Sequence, residues 1–276
     1  MKIAVHQMRS GIHPQQNISK MESAIASAAE SGAMFYFAPE MSCLLDRDRQ
    51  RAKRHIVAEP ESAAITALCD AARKAGIWAH LGSVAVQSEV HPDKLANRSV
   101  VINPLGGIAA RYDKMHLFDV DLASGESWRE SSAYGAGDEA VMVDTPLGPM
   151  GLTICYDMRF PQLYSRLSQA GSQIFAVPAA FTRPTGRAHW HSLLRARAIE
   201  NAAFVVAAAQ SGNHDDGRET FGHSLVVDPW GEVLLDMGDG EGLGYADLDL
   251  ARIDAVRSQI PVLMNRRAIP EKVKRY

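Results

Sequence analysis

The chain is predicted to fold as an α/β protein in which helices cover a sheet, and three observations predict it. Apolar runs with strand character alternate with segments of helical spacing along the chain. Three of the helical segments close on a glycine (Gly32, Gly76 and Gly171), the residue best suited to a left-handed helix stop. Each half also carries a hairpin built alike, "SVVINPLGG" at 99–107 and "SLVVDPWGE" at 224–232. Both set a Pro-x-Gly turn after Asn or Asp, between β-rich runs.

In chain order, "KIAVHQM" (2–8) reads as a first strand and "NISKMESAIASAAESGA" (17–33) as a helix. "MFYFAPE" (34–40) is a continuous apolar run ending on Glu40, hence a buried strand with a carboxylate at its exit. "ESAAITALCDAARKAG" (61–76) is a second helix and "IWAHLGSVAV" (77–86) a strand. The second half repeats the scheme with a strand at 150–155, a helix at 161–171 opened by Pro161, and a strand at 173–180. A helix at 188–202 and a strand at 204–212 follow, and the Gly-rich "MGDGEGLG" (237–244) reads as a loop. Two similar halves without a linker imply one domain, residues 1–276, with internal pseudo-symmetry.

The 276 residues are 46 % hydrophobic and 22 % charged with a net charge of −3, and no long Lys/Arg block stands out. That balance argues against nucleic-acid or anionic-membrane partners. The densest basic run, "RDRQRAKR" (47–54), reads as a solvated face. Cys43, Cys69 and Cys155 are odd in number and widely spaced, the pattern of a reduced intracellular protein rather than a disulfide framework or zinc site. The opening "MKIAVHQMRS" is too short in apolar residues for a signal peptide, and the apolar run "AAFVVAAA" (202–209) falls far below the ~20 residues that span a bilayer. A soluble, cytoplasmic protein is expected.

Three residues stand where strands end. Cys155 follows the run Leu152–Ile154 and precedes the helix opened by Pro161, the kind of position where α/β proteins build sites and where a helix start favours a thiolate. A free cysteine is also an ordinary core residue. Glu40 at the exit of "FYFAPE" would have its pKa raised by burial, which suits proton shuttling; it could equally be a loop carboxylate. Lys114, in "ARYDKMHLFD", is either an exposed cation or a partner for developing negative charge. A Cys–His hydrolase is the rival, with His116, His189 and His191 at hand, but no G-x-C-x-G elbow surrounds the thiol. His189 and His191 are i and i+2 on a helix and do not face one another, so joint metal ligation is not expected.

The blocks "FAPE", "YDKMHLFD" and "GLTICYDMRFP" resemble, in order and spacing, the three signature blocks of the nitrilase (carbon–nitrogen hydrolase) superfamily. "TGRAHWHSLLRARAIEN" and "GHSLVVDPWGEV" are similar to its amidase branch, which includes deaminated-glutathione amidases and ω-amidases. The resemblance implies a four-layer αββα sandwich and a Glu40–Lys114–Cys155 triad, with no metal or cofactor. A second glutamate of the family maps onto Glu130, with Glu126 as the competing placement. The implied chemistry is attack of the Cys155 sulfur on an amide carbon, with Lys114 and the Tyr156 backbone N–H holding the oxyanion. A thioester forms and is then hydrolysed.

Arg159, Arg183, Arg187, Arg195 and Arg197 follow these blocks, and Arg159 is the best placed to grip a substrate carboxylate. His189 and Trp190 are expected to line or support the pocket. The stretch Thr182–Arg183–Pro184 departs from the amidase branch, where smaller or uncharged residues are usual. The expected partner is a small, carboxylate-bearing amide, with deaminated glutathione first and, as alternatives, the ω-amidase substrates α-ketoglutaramate and succinamate or an N-carbamoyl amino acid. A catalytically idle binding module is the reading from another class. The family also implies a homodimer or higher even oligomer, through helices 161–170 and 188–202.

Overall fold

The structure is a computed structural model that describes residues 1–275 except 122–124 and 126. It contains the predicted layers. One sheet takes the strands Lys2–Gln7, Phe35–Phe37 and Trp78–His80, parallel to one another, then Leu95–Ile102, Val84–Gln87 and Ile108–Asp113. The other takes Gly148–Leu152, Ile174–Ala176 and Phe204–Ala207 in parallel, edged by Met142–Thr145 on one side and by Leu225–Val227 and Val233–Asp236 on the other.

Strand alternation sorts the core. Ile3, Val5, Phe35 and Phe37 of the first sheet share one buried cluster with Leu152, Phe175 and Val227 of the second. Ala4, Tyr36 and Ala79 face the other way and pack with Ile18, Met21 and Ile25 of helix Pro14–Glu30 and with Leu68 of helix Ala63–Ala75. Helices Pro161–Gln169 and Arg183–Asn201 bury Leu163, Leu167, Leu194 and Ala198 against the second sheet. The order is therefore helix, sheet, sheet, helix.

Several strands are shorter than expected, and four differences bear on the fold. The first helix starts at Pro14 rather than residue 17; Asn17 is instead buried and bonded to Gly11 and to the Cys43 carbonyl. The helix predicted from 188 starts at Arg183, with Pro184 in its first turn. The strand predicted over 77–86 breaks in two at Gly82, where φ is +69° and a Cβ would overlap the Ala38 and Pro39 carbonyls. Bare glycine lets the chain pass the segment that leads to Glu40. Finally, Gly242–Gly244 of the predicted loop belong to strand Gly242–Asp247, which pairs antiparallel with Lys2–Gln7. Second-half chain thus closes the edge of the first-half sheet.

Candidate active site

Strands of both sheets end on one rim, and the predicted residues meet there. Glu40 leaves strand Phe35–Phe37. Its carbonyl accepts from Gln210 Nε2 at 3.0 Å, and the next N–H, of Met41, bonds Ser83 Oγ at 3.0 Å. Lys114 leaves strand Ile108–Asp113, held through its N–H to the Asn97 carbonyl at 2.9 Å. Cys155 follows Gly148–Leu152; its N–H donates to the Pro178 carbonyl at 2.9 Å, and a short 3₁₀ turn, Cys155–Arg159, begins at it. The φ of Cys155 is +47°, a left-handed conformation unusual for a side-chain-bearing residue. The sharp turn sought in a glycine-flanked elbow is present without the glycines.

Lys114 Nζ donates to Glu40 Oε1 at 2.9 Å and to both oxygens of Glu130 at 3.1 and 2.9 Å. Glu130 Oε2 also accepts from Phe118 N at 2.7 Å, and Glu40 Oε2 from Ala180 N at 2.9 Å. Asn97, which the sequence reading passed over, bridges the two carboxylates: its Nδ2 lies 2.9 Å from Glu40 Oε1 and 3.2 Å from Glu130 Oε1. A buried amide in the strand Leu95–Ile102, beside Arg98 and Ser99, gave no distinct local signal. The competing Glu126 lies outside the described residues.

Burial would raise the Glu40 carboxyl, but the Lys114 ammonium and the hydrogen bonds from Lys114, the Cys155 thiol and Ala180 overcome it, so its pKa is lowered. The expectation of a raised carboxyl fails because an ammonium stands beside it. The thiol moves oppositely. Burial and the facing Glu40 carboxylate push Cys155 well above the ordinary thiol value, against the pull of Lys114. No preformed thiolate rests here; five residues of 3₁₀ turn do not offset desolvation. Burial also opposes the charge on Lys114, but Glu130 and Glu40 outweigh it and raise its pKa. At neutral pH the rim holds a thiol together with a carboxylate and an ammonium that lie 2.9 Å apart.

A second residue missed from sequence is Asp157, fully buried two positions after the thiol. Its carboxylate accepts from Ile154 N at 2.8 Å, Tyr112 OH at 2.7 Å, and His116 N and Nδ1 at 3.0 and 2.7 Å. It ties the cysteine turn to the segment just past Lys114. His116 serves this tie and stacks on Phe160 at 3.6 Å.

The thiol opens into a cavity of about 940 Å³ whose wall includes Tyr156, Phe118, Tyr134 and Phe181. Arg47, Arg49 and Lys53 of the "solvated" basic run line it, with Lys94, Arg129 and Arg218, and so do the carboxylates Asp46, Asp93 and Glu219. The guanidinium groups of Arg47 and Arg218 lie over the Trp128 ring at 5.6 and 5.3 Å. The remaining candidates stand behind this wall. Arg159 sits over the Tyr156 and Phe181 rings at 5.9 and 5.2 Å and reaches exposed His189 Nδ1 at 3.3 Å. Neither Arg159 nor His189 lines the cavity. Trp190 is fully buried, donates Nε1 to the His223 carbonyl at 2.8 Å and packs on Phe181. It supports a wall residue and does not reach the cavity.

An αββα sandwich that brings a thiol, a carboxylate and an ammonium to one rim has the groups that nucleophilic hydrolysis of an amide requires. The chain belongs to the carbon–nitrogen hydrolase family, whose model matches residues 2–258. It is similar to the deaminated glutathione amidases of Yersinia enterocolitica (36 % identity over 99 % of this chain and 95 % of that one) and Homo sapiens (38 %, 96 % and 82 %). Among solved structures, Saccharomyces cerevisiae Nit3, a member of branch 10 of the nitrilase superfamily, superposes with a TM-score of 0.87 at 28 % identity, covering 97 % of each chain. A mutant amidase from Nesterenkonia sp. AN1 (TM-score 0.78, 26 % identity, 95 % of this chain and 98 % of that one) carries acrylamide added at its active-site cysteine. The chain is an amidase that hydrolyses a C–N bond, and among the described residues no helix is long and apolar enough to cross a membrane.

Proposed function

We propose that the chain cleaves the amide of deaminated glutathione, with Cys155 as nucleophile. The observation that carries the chemistry is the contact set around Lys114, which keeps Glu40 ionised beside a protonated thiol. As sulfur attacks the amide carbon, Glu40 takes the thiol proton, so charge forms only as the new bond forms. The Lys114 ammonium and the Tyr156 N–H, in a first helical turn that offers it no intrahelical acceptor, hold the oxyanion. Glu40 returns the proton to the departing amine, leaving a thioester, then draws a proton from the water that hydrolyses it. Glu130 keeps Lys114 aimed, and Asn97 keeps the two carboxylates apart.

The substrate choice is supported by the names of relatives 36–40 % identical over nearly the whole chain. A cavity of about 940 Å³ lined by more Lys/Arg than Asp/Glu side chains also suits a tripeptide-sized, carboxylate-bearing amide better than α-ketoglutaramate alone. Arg47 and Arg49 take the carboxylate-gripping role first expected of Arg159. One domain, a cytoplasmic setting and a dimer through the faces of Pro161–Gln169 and Arg183–Asn201, where Ile199 is half-exposed, belong to the same proposal.

The test measures keto-acid release from deaminated glutathione and from α-ketoglutaramate. Higher kcat/KM on the former, lost in Cys155→Ala, is expected. Preference for α-ketoglutaramate would replace the substrate, and turnover surviving in Cys155→Ala would overturn the mechanism.

A further inference from the structure

The second half carries a side-chain cluster that amide hydrolysis does not use. His191 projects from helix Arg183–Asn201, His223 lies just before strand Leu225–Val227, and Asp236 ends strand Val233–Asp236. His191 Nε2 lies 2.9 Å from Asp236 Oδ2, and His223 Nδ1 lies 2.8 Å from Asp236 Oδ1. One donor atom from each of the three falls within 4.8 Å of the other two, the one such trio of potential metal donors among the described residues. The three side chains are 26–37 % exposed, so a hydrated ion can reach them.

The trio is more than a surface ion pair. One carboxylate is satisfied by one imidazolium, yet here two imidazoles each take a different oxygen of the same carboxylate. That carboxylate is aimed by the Gly238 N–H at 3.0 Å. The two rings stand edge to face at 75° with centroids 5.2 Å apart, and their donor nitrogens lie within 4.8 Å of one another. His223 is held by its neighbours: its ring stacks on Phe221 at 4.4 Å, its φ is +54°, and its carbonyl accepts Trp190 Nε1 at 2.8 Å. Two imidazole nitrogens and one carboxylate oxygen are the donor set of borderline divalent transition ions, with a fourth position left for water. Bonds of about 2.0–2.2 Å to such an ion hold neighbouring donors roughly 3–3.5 Å apart, so the two paired contacts open by a few tenths of an ångström while the widest separation in the trio, within 4.8 Å, closes around the ion. Each imidazole would turn a lone pair inward by moving its proton to its outer ring nitrogen.

We propose that His191, His223 and Asp236 form a binding site for a borderline divalent transition cation of the zinc class. The ion clamps helix Arg183–Asn201 onto the edge hairpin of the second sheet. It also braces Trp190, whose ring packs on the cavity-lining Phe181 at 5.1 Å. The two histidines come from separate motifs, and only one belongs to the "HWH" triplet. His189 turns the other way, toward Arg159.

The test is calorimetric titration of the full chain with zinc chloride, in a Cys155→Ala background so that the rim thiol does not compete, with thermal melts of the same samples. One ion per chain, a rise in Tm, and no comparable response to magnesium are expected. His191→Ala and Asp236→Asn should each weaken binding by at least about tenfold. Their metal-free melting points should stay close to that of the background. No heat of binding at micromolar zinc, an equal response to magnesium, or unchanged affinity in both variants would each overturn the site.

Discussion

Asp157→Asn isolates the tie between the cysteine turn and the Lys114 segment. Oδ1 of Asp157 accepts from His116 N and Nδ1, and Oδ2 from Ile154 N and Tyr112 OH. An amide of the same shape keeps one oxygen and replaces the other with an NH₂ group that cannot accept. The imidazole or the phenol can turn and accept from that NH₂; the backbone N–H beside it cannot. Either orientation therefore orphans one buried N–H, at about 1–3 kcal/mol. The surviving bonds also lose their charge-assisted strength, worth roughly 1 kcal/mol more. The sum is about 2–4 kcal/mol, which for a chain of this size lowers Tm by roughly 5–15 °C. Circular-dichroism melts at a fixed scan rate measure it, with His116→Ala as the milder comparison because it keeps the backbone bond. An Asp157→Asn chain that melts within about a degree of the parent would refute the argument, since a carboxylate with four donors and no solvent contact cannot be isosterically neutralised at no cost.

Further perturbations test the rim itself. Lys114→Met leaves two carboxylates facing each other in a buried site, and a loss of about 3–5 kcal/mol of stability is expected in denaturant titrations, together with loss of turnover. The lowered Glu40 pKa means that the stability it contributes is present above the ordinary carboxylate pKa and lost only as pH falls through its lower folded value. The raised Lys114 value makes its contribution full below the ordinary lysine pKa and lost as pH rises through the higher one. A kcat profile flat from about pH 5 to 9 is the expected outcome, and a limb centred near pH 6.5 would implicate a histidine instead. Thiol labelling at neutral pH should favour Cys155 over Cys43, whose pKa burial pushes up to about 12.

How much of this was legible in the sequence depended on the range over which each signal acts. Gly76 announced its own helix stop, and it takes a left-handed φ of +67°. Glu40, Lys114 and Cys155 each ended a run of residues whose period was readable locally. Asn97 and Asp157 were not legible, because their importance lies in partners 57 and 41 positions away along the chain. The direction of the Glu40 pKa failed for the same reason: burial could be read from "FYFAPE", but the ammonium that overrides it belongs to another strand. The basic run at 47–54 has the composition of a solvated face, and only the fold sets it against the cavity.

The left-handed backbone at Cys155 restricts what protein engineering can put there. Serine adds no bulk at the β-carbon, so a hydroxyl version of the enzyme is sterically open. Threonine, branched at that carbon, would collide with its own main chain at this φ, and the turn would have to unwind to admit it. Any search for an alternative nucleophile on this scaffold therefore begins with an unbranched side chain, whatever the chemistry alone would permit.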